Sequence, residues 1–324
     1  MIERAPNIYQ LDIPLRNNPL KSLNCYLIVG VESLIIDTGF HTAEGEALIR
    51  EAMAALGMEP SHTRLFLTHL HSDHTGLADR LAKTGVRVSM GPVDLALLRS
   101  SLDPSGDFWQ EVLAISIEQG LSADHLALSD HPGFRYRPLA LPEVAISRPG
   151  DRFLVGDYRF EVIDLPGHTP GLQALYEPKH GLLFSSDHIL EQITPNITYW
   201  GERFGDSLGQ YLGSLDQVLA MTVTRVFSSH RSLPTDHRAR IDQIKRHHEL
   251  RLQECRAILQ GGPASVREVT RKLSWDIRAT SWEDFPASQK WFAAGEAQAH
   301  LVHLVARGEL TSEKQGEELI YRLK

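Results

Sequence analysis

One stretch, Thr68 to Gly76, constrains this chain more than any other, because four of its side chains can bind a metal. The candidate ligands are His69, His71, Asp73 and His74. The apolar residues 65–67 before them predict a buried strand, and residues 77–83 after them predict a helix. Alternate side chains of a strand share a face, so His69 and His71 can converge on one point while the turn carries Asp73 and His74 to a second. Imidazole with carboxylate favours Zn, Fe or Mn over Ca or Mg. A loop rich in histidine by chance is the competing interpretation, which this ordered spacing disfavours.

Four residues are too few to hold two metals, and three later sites supply further candidates. Each consists of a short apolar strand followed by a residue of ligand type, and the three residues are His168, Asp187 and His230. Glycines and prolines around His168 predict a tight turn at that strand end. Taken alone, each of these residues is typical of an ordinary loop. Following residues 69–74 in this order, they form the natural completion of a metal site.

The pattern His-x-His-x-Asp-His at residues 69–74 resembles the signature of the metallo-β-lactamase superfamily, and the resemblance covers residues 7–237. It implies an α/β fold, the αβ/βα sandwich of that superfamily. It further implies one metal held by His69, His71 and His168 and a second held by Asp73, His74 and His230, with Asp187 bridging the two. Because position 187 is Asp rather than Cys, the chain is more similar to two-metal hydrolases of the glyoxalase II, lactonase and nuclease type than to antibiotic-hydrolysing enzymes.

The same resemblance gives a role to Asp37, in the segment Ile35 to Gly39 that closes a predicted hairpin. The equivalent Asp of the family supports the metal site, so Asp37 would orient a ligand histidine through a hydrogen bond. The alternative is an ordinary turn aspartate before Thr38 and Gly39.

Composition is that of a globular protein, with 324 residues, of which 42% are hydrophobic. Cys25 and Cys255 lie far apart, which predicts unpaired thiols in a reducing compartment. The N-terminus has no apolar signal region, and no run approaches the length of a membrane span. We therefore expect a cytoplasmic protein without a membrane partner.

The formal net charge of -8 is unevenly distributed. Residues 1–237 contain 18 Lys and Arg against 29 Asp and Glu, whereas residues 238–324 contain 15 against 12. An acidic catalytic portion is a poor electrostatic partner for nucleic acid. Nucleic acid is accordingly not an expected partner, and a small molecule is the expected substrate.

Two segments are candidates for contact with that substrate. Residues 92–147, called the insertion below, interrupt the alternation of strands and turns, with helices predicted at 92–98 and 107–119. They are interpreted as a lid or substrate wall, or as a segment packed on the core. Residues 194–201 follow Asp187 directly, so Asn196, Tyr199 and Trp200 either contact substrate or pack within a loop.

Residues 238–324, called the C-terminal segment below, predict a second domain after a catalytic domain of residues 1–237. Three helices are expected at 238–259, 265–273 and 286–307, followed by a hairpin, which resembles a winged-helix-type appendage. A weakly basic second helix favours packing or dimerisation over DNA binding. The histidines at 247, 248, 300 and 303 are assigned to solvated helix faces.

The expected activity is metal-dependent hydrolysis of a small ester, thioester or lactone by a hydroxide bridging two metal ions, which Asp73 would help to orient. Two divalent ions per chain are expected, zinc first, with iron or manganese as alternatives. The alternative functions are a metallo-endoribonuclease or phosphodiesterase acting on RNA and a non-catalytic metal-dependent scaffold.

Overall fold

The protein is described by a computed structural model that covers residues 1–16 and 18–324. Its first sheet contains, in chain order, β1 (Ile2–Ala5), β2 (Ile8–Pro14), β3 (Ser22–Ile28), β4 (Ser33–Ile36), β5 (Thr63–Leu67), β6 (Arg87–Met90) and β7 (Val144–Ile146). The second sheet contains β8 (Arg152–Val155), β9 (Tyr158–Asp164), β10 (Gln173–Glu177), β11 (Leu182–Ser186) and β12 (Arg225–Ser228). A small third sheet contains β13 (Ala264–Ser265), β14 (Leu310–Gln315) and β15 (Glu318–Leu323).

The helices cover the outer faces of the two large sheets. They are α1 (Ala43–Ala55), α2 (Ser72–Thr75), α3 (Ala78–Ala82), α4 (Pro92–Ser101), α5 (Asp107–Glu118), α6 (Pro132–Arg135), α7 (Ser207–Ala220), α8 (His237–Leu259), α9 (Val266–Lys272) and α10 (Ala287–Ala306). The predicted helix 42–56 is observed as α1, and Thr42 caps it by accepting a hydrogen bond from the Gly45 backbone.

Each large sheet mixes antiparallel and parallel pairs. In the first sheet β1 to β4 are antiparallel and β4 to β7 are parallel, and the strands lie side by side in chain order. In the second sheet the order is β12-β11-β10-β9-β8, with only the β11–β12 pair parallel. Consequently β4 and β5 end at one edge of the first sheet, and β9, β11 and β12 end at one edge of the second.

Apolar side chains fill three layers and thereby fix the sandwich. Between the sheets lies an aromatic-rich core that includes Tyr26, Phe66, Phe160 and Phe184. A second core packs the outer face of the first sheet against α1, α3, α4 and α5, and a third packs the second sheet against α7, α8, α9 and α10. Strands buried on both faces carry continuous apolar runs rather than alternation, as at residues 34–36. The predicted αβ/βα sandwich is confirmed.

The last residues of the insertion form a strand that was not predicted. Residues 144–146 form β7, which pairs in parallel with β6, so the insertion is the connection between two neighbouring strands of the first sheet. Its helices α4 and α5 lie where helices were predicted.

The C-terminal segment forms the predicted three helices and hairpin, and its short β13 adds a strand beside β15. The assignment of all four of its histidines to solvated faces is wrong for two of them. His248 and His300 are buried, and the Nδ1 of His248 lies 3.0 Å from the Nε2 of His300, because α10 packs across α8. Among the described residues, no helix is both long enough and apolar enough to cross a bilayer.

Candidate metal centre

The seven candidate ligands follow the ends of β5, β9, β11 and β12, and the fold brings these strand ends together at one edge of the sandwich. Three non-glycine residues beside them have positive φ angles: Asp37 at 58°, Ser186 at 52° and Arg231 at 60°. Such backbone conformations are unfavourable and concentrate at functional sites. The turns that carry the ligands are therefore held in place by their surroundings.

The structure arranges the seven residues, called the His/Asp cluster below, in two groups. The first comprises His69, His71, His168 and Asp187, and the second comprises Asp73, His74 and His230. Within each group the ligand atoms all lie within 4.8 Å of one another. The groups match the two sets that the resemblance implies.

Asp187, a member of the first group, also faces the second. Its Oδ2 is 3.3 Å from the Nε2 of His168, while its Oδ1 is 3.3 Å from the Nε2 of His230. One carboxylate oxygen therefore faces each group, which is the placement that a bridging ligand requires.

The protonation of the histidines fits metal binding. The Nδ1 of His74 lies 2.7 Å from the Oδ2 of Asp37, and the Nδ1 of His230 lies 2.8 Å from the carbonyl of Ser22. Since a carboxylate and a carbonyl only accept, each Nδ1 donates a proton to its partner, which leaves each Nε2 as the atom that would bind a metal. The Nε2 atoms of His74 and His230 are buried and make no hydrogen bond, so a cation would satisfy them.

His168 shows the same arrangement, because its Nδ1 donates to the backbone carbonyl of Asn196 at 2.8 Å. Burial holds the pKa of His69 well below its usual value, and burial together with His168 lowers the pKa of His71 to about 3. The imidazoles of His69 and His71 are therefore neutral at physiological pH, which is the form that binds metals.

The second group favours positive charge. Burial opposes protonation of His230, but the carboxylates of Asp187 and Asp73 outweigh it and raise its pKa to about 10. Burial likewise opposes ionisation of Asp187, yet His230 and His74 hold its pKa well below the usual range. A divalent cation would supply the positive charge that this geometry stabilises.

Asp37 is placed as the resemblance implies. Its carboxylate, besides accepting from His74, accepts from the backbone of Thr68 at 2.9 Å and from the Thr68 hydroxyl at 2.8 Å. The Thr68 hydroxyl in turn lies 3.0 Å from the Nδ1 of His69. One buried carboxylate thus links ligands of both groups.

Asp94 was missed by the sequence analysis. It is buried at the start of α4 and accepts hydrogen bonds from the Leu70 backbone at 2.9 Å, the Thr169 hydroxyl at 2.7 Å and the Gly171 backbone at 2.7 Å. Leu70 lies between two ligands and Thr169 follows His168, so Asp94 joins both ligand-bearing turns. Gly171 has to be glycine, because a Cβ there would lie 2.6 Å from the Asp94 carboxylate. In sequence this residue is only an acidic side chain in the first turn of a helix, which is common.

Asp94→Asn is expected to weaken metal binding by about 10- to 100-fold without unfolding the chain. An amide has one accepting oxygen, so either Gly171 or the pair Leu70 and Thr169 loses its acceptor. Although burial raises the pKa of Asp94 to about 6, the group is still an ionised acceptor at neutral pH. Chelator-competition titration measures the effect, and Asp107→Asn, in the exposed first turn of α5, is the control. Equal affinity in both variants would show that Asp94 does not position the ligands.

A cavity of about 520 Å³ opens onto the cluster. His71, Asp73, His168 and Asp187 are among its lining residues, so both groups are accessible from it. The insertion contributes Phe108, Trp109 and Tyr136 to its wall, which agrees with the substrate-wall interpretation. The same side chains also pack on the core of the first sheet, which confirms the packing interpretation, while contact with a substrate stays a prediction.

The cavity is also lined by Asn196, Tyr199 and Trp200. Of these, Asn196 and Trp200 also form hydrogen bonds with His168. The Asn196 carbonyl accepts from His168, and the Nε1 of Trp200 donates to the His168 carbonyl at 3.1 Å. The Trp200 ring lies nearly parallel to that of His71, with centroids 6.2 Å apart. The loop therefore combines cavity lining with support of the ligands.

The sequence analysis also missed that α10 forms part of the wall. Ser288, Trp291, Phe292 and Gly295 of this helix line the cavity. The helix is anchored beside the cluster, because the Asn196 amide donates to Glu296 at 2.9 Å and the Tyr199 backbone donates to the Gly295 carbonyl at 3.1 Å. The C-terminal segment is thus part of the site as well as of the core.

The sandwich, with seven His and Asp side chains at one edge, defines a class of metallo-hydrolases. The family model of the metallo-β-lactamase superfamily matches residues 19–230. The chain belongs to this superfamily of metal-binding hydrolases.

Among its relatives is the probable metallo-hydrolase YqjP of Bacillus subtilis, which is 23% identical over 307 residues, or 92% of each chain. The acyl-coenzyme A thioesterase MBLAC2 of Gallus gallus is 28% identical over 175 residues, which cover 52% of this chain and 58% of that one. The crystal structure of a metallo-β-lactamase family protein from Thermus thermophilus matches with a TM-score of 0.82 and 25% identity over 99% of both chains. A β-lactamase domain protein from Burkholderia ambifaria matches with a TM-score of 0.80 and 26% identity, over all of this chain and 94% of that one.

Proposed function

We propose that this chain is a two-metal hydrolase of small esters and thioesters with an uncharged, apolar acyl group. The observation that carries the proposal is the combination of the His/Asp cluster with a cavity whose wall is built from side chains such as Phe108, Trp109, Trp200 and Phe292. Aromatic side chains offer large apolar contact areas, which suits an acyl or aryl group. The thioesterase named MBLAC2, similar over about half of this chain, supports the same reaction class.

His69, His71 and His168 would hold one divalent cation and Asp73, His74 and His230 the other, with Asp187 shared. When bound, such cations polarise the scissile carbonyl and lower the pKa of a water molecule to near neutrality. The Oδ2 of Asp73 lies 3.4 Å from the Nε2 of His230, and Asp73 also lines the cavity. This position supports a role for Asp73 in which its carboxylate would accept a hydrogen bond from the attacking water and orient it.

Each arginine that lines the cavity already contacts an acidic side chain or an aromatic ring. Arg203 is paired with Glu111 at 3.0 Å, Arg137 lies over the Phe134 ring at 4.2 Å, and Arg135 lies 5.5 Å from the Tyr136 ring. Recognition of a phosphodiester or of glutathione carboxylates requires Arg or Lys at fixed positions facing the ligand. Apolar acyl substrates are therefore favoured over RNA and over glutathione thioesters.

The test is a side-by-side measurement of kcat/KM on aryl esters, acyl lactones, an acyl-coenzyme A thioester, a glutathione thioester and single-stranded RNA. Metal-stripped protein is the control, and its activity is expected to return when zinc is added. We expect the apolar acyl esters or thioesters to be hydrolysed fastest. Faster turnover of RNA or of the glutathione thioester than of every other substrate would contradict the proposal.

A further inference from the structure

Five residues of α10 line the cavity, and four of them, all except Gln289, recur at helical spacing. Ser288, Trp291, Phe292 and Gly295 are separated by three and four positions, so they form one face of this helix. Gly295 and Ser288 are small, and this makes room beside the two aromatic residues. Phe292 is 37% exposed although most of α10 is buried, because its ring borders the cavity.

A face of α5 lines the same cavity. Phe108, Val112 and Ile115 recur at helical spacing there, and they are apolar. The His131 ring connects the two sides. Its centroid lies 5.6 Å from that of Trp109 on α5 and 5.2 Å from that of Trp291 on α10. Two apolar helix faces, from the insertion and from the C-terminal segment, therefore border one space.

Charge is scarce in this part of the cavity. Among the described residues, α5 and α10 contribute one charged side chain to the lining, Glu111, and its carboxylate is paired with Arg203. A phosphate or carboxylate group would find no cation on either helix face. Apart from Ser288, Gln289 and the indole N–H of Trp291, the side chains that α10 contributes are apolar or glycine, and such a surface favours contact with hydrocarbon.

The position of α10 relative to the His/Asp cluster is fixed. A Cβ at Gly295 would collide with the side chain of Thr198, so the helix lies directly on the loop 194–201. Asp124 of the insertion accepts from Arg267 at 2.6 Å and from the Nε1 of Trp282 at 2.7 Å, which ties the insertion to the C-terminal segment. The space between the two helix faces has defined walls.

We propose that an extended apolar acyl chain lies between these faces of α5 and α10, and that Ser288 and Phe292 set the chain length that is accepted. This proposal rests on the proposed acyl hydrolase function and adds a specificity role for the C-terminal segment. Ser288 is half-buried in the first turn of α10, so a larger side chain at this position fills the cavity without displacing the core.

The experiment measures kcat/KM of the full-length, metal-loaded protein on acetyl, hexanoyl and dodecanoyl thioesters of one thiol. Ser288→Phe is expected to lower kcat/KM for the dodecanoyl thioester by about 10- to 200-fold more than for the acetyl thioester. Phe292→Ala is expected to lower kcat/KM for the dodecanoyl thioester by about 10-fold or more, through lost apolar contact. Leu250→Ala, on the exposed side of α8, is the control and should match the wild type.

Calorimetric titration with dodecanoate is the second readout, and it does not depend on turnover. Weaker binding by Ser288→Phe than by the wild type is expected. If the wild type hydrolyses no ester or thioester yet binds dodecanoate in a manner that depends on Ser288, the acyl site is supported while the proposed function fails. If both variants keep the wild-type chain-length profile, or if dodecanoate does not bind, the acyl site is overturned.

Discussion

Asp187→Ala is expected to lose both bound metal ions and to lower kcat/KM by about 10³-fold or more. The carboxylate presents one oxygen to each group of the cluster, and without it two cations would face each other unscreened. The measurement is metal content by elemental analysis, together with hydrolysis of the best substrate.

Two further variants separate the causes of this loss. Asp187→Asn keeps the shape of the side chain but removes its charge, so a loss similar to that of Asp187→Ala would identify the charge as the cause. Asp216→Ala removes an exposed carboxylate of α7 and should leave metal content unchanged. An Asp187→Ala protein that retained both metals and full activity would refute the bridging role.

Truncation after Leu233 is expected to prevent folding. One apolar core contains Leu172, Leu208 and Tyr211 of the sandwich together with side chains of α8 and α10, such as Ile244 and Leu301. Each buried aliphatic side chain contributes about 1.5–3 kcal/mol, so loss of this many exceeds the 5–15 kcal/mol that typically stabilises a domain. Soluble yield and size-exclusion chromatography measure the result, and aggregation is expected.

A point substitution tests the same interface in the full-length chain. Leu301→Ala removes a fully buried side chain and should lower the free energy of unfolding by about 2–5 kcal/mol. Leu250→Ala, at a site that is 55% exposed, should change it by less than about 0.5 kcal/mol. A truncated chain that stayed monomeric and kept a native thermal transition would show that the two segments fold independently.

Local sequence was sufficient to find the seven residues that the fold brings together in the His/Asp cluster. His168, Asp187 and His230 were found because each follows an apolar strand, and such strands end together at one edge of the sandwich. Asp37 required the resemblance, since a turn aspartate has no distinctive pattern of its own. Helix and strand positions followed from apolar periodicity and caps, as at Thr42.

Features that depend on contacts between distant segments were not predictable in this way. Asp94 resembles any first-turn helix aspartate until the fold brings Leu70 and Gly171 against it. His248 and His300 lie on helices with polar residues nearby, and only the crossing of α8 and α10 buries them. The cavity face of α10 was missed for the same reason, because its apolar spacing is equally typical of core packing.

Two ion pairs of the C-terminal segment support the interpretation that this segment packs against protein rather than binding DNA. Arg267 is paired with Asp124, and Arg271 with Glu283, so two of the three cations considered for a DNA-binding helix are already neutralised. The remaining cation, Lys272, is exposed. These pairs disfavour nucleic-acid binding by this helix, and the absence of such binding stays a prediction.

Metal stoichiometry tests the central claim most directly. Protein purified without chelator and analysed by inductively coupled plasma mass spectrometry should contain two equivalents of transition metal per chain, one for each group of the cluster. Stripping the metal should abolish hydrolysis, and adding zinc should restore it. A folded and active protein that contained no transition metal would contradict the proposed two-metal hydrolase.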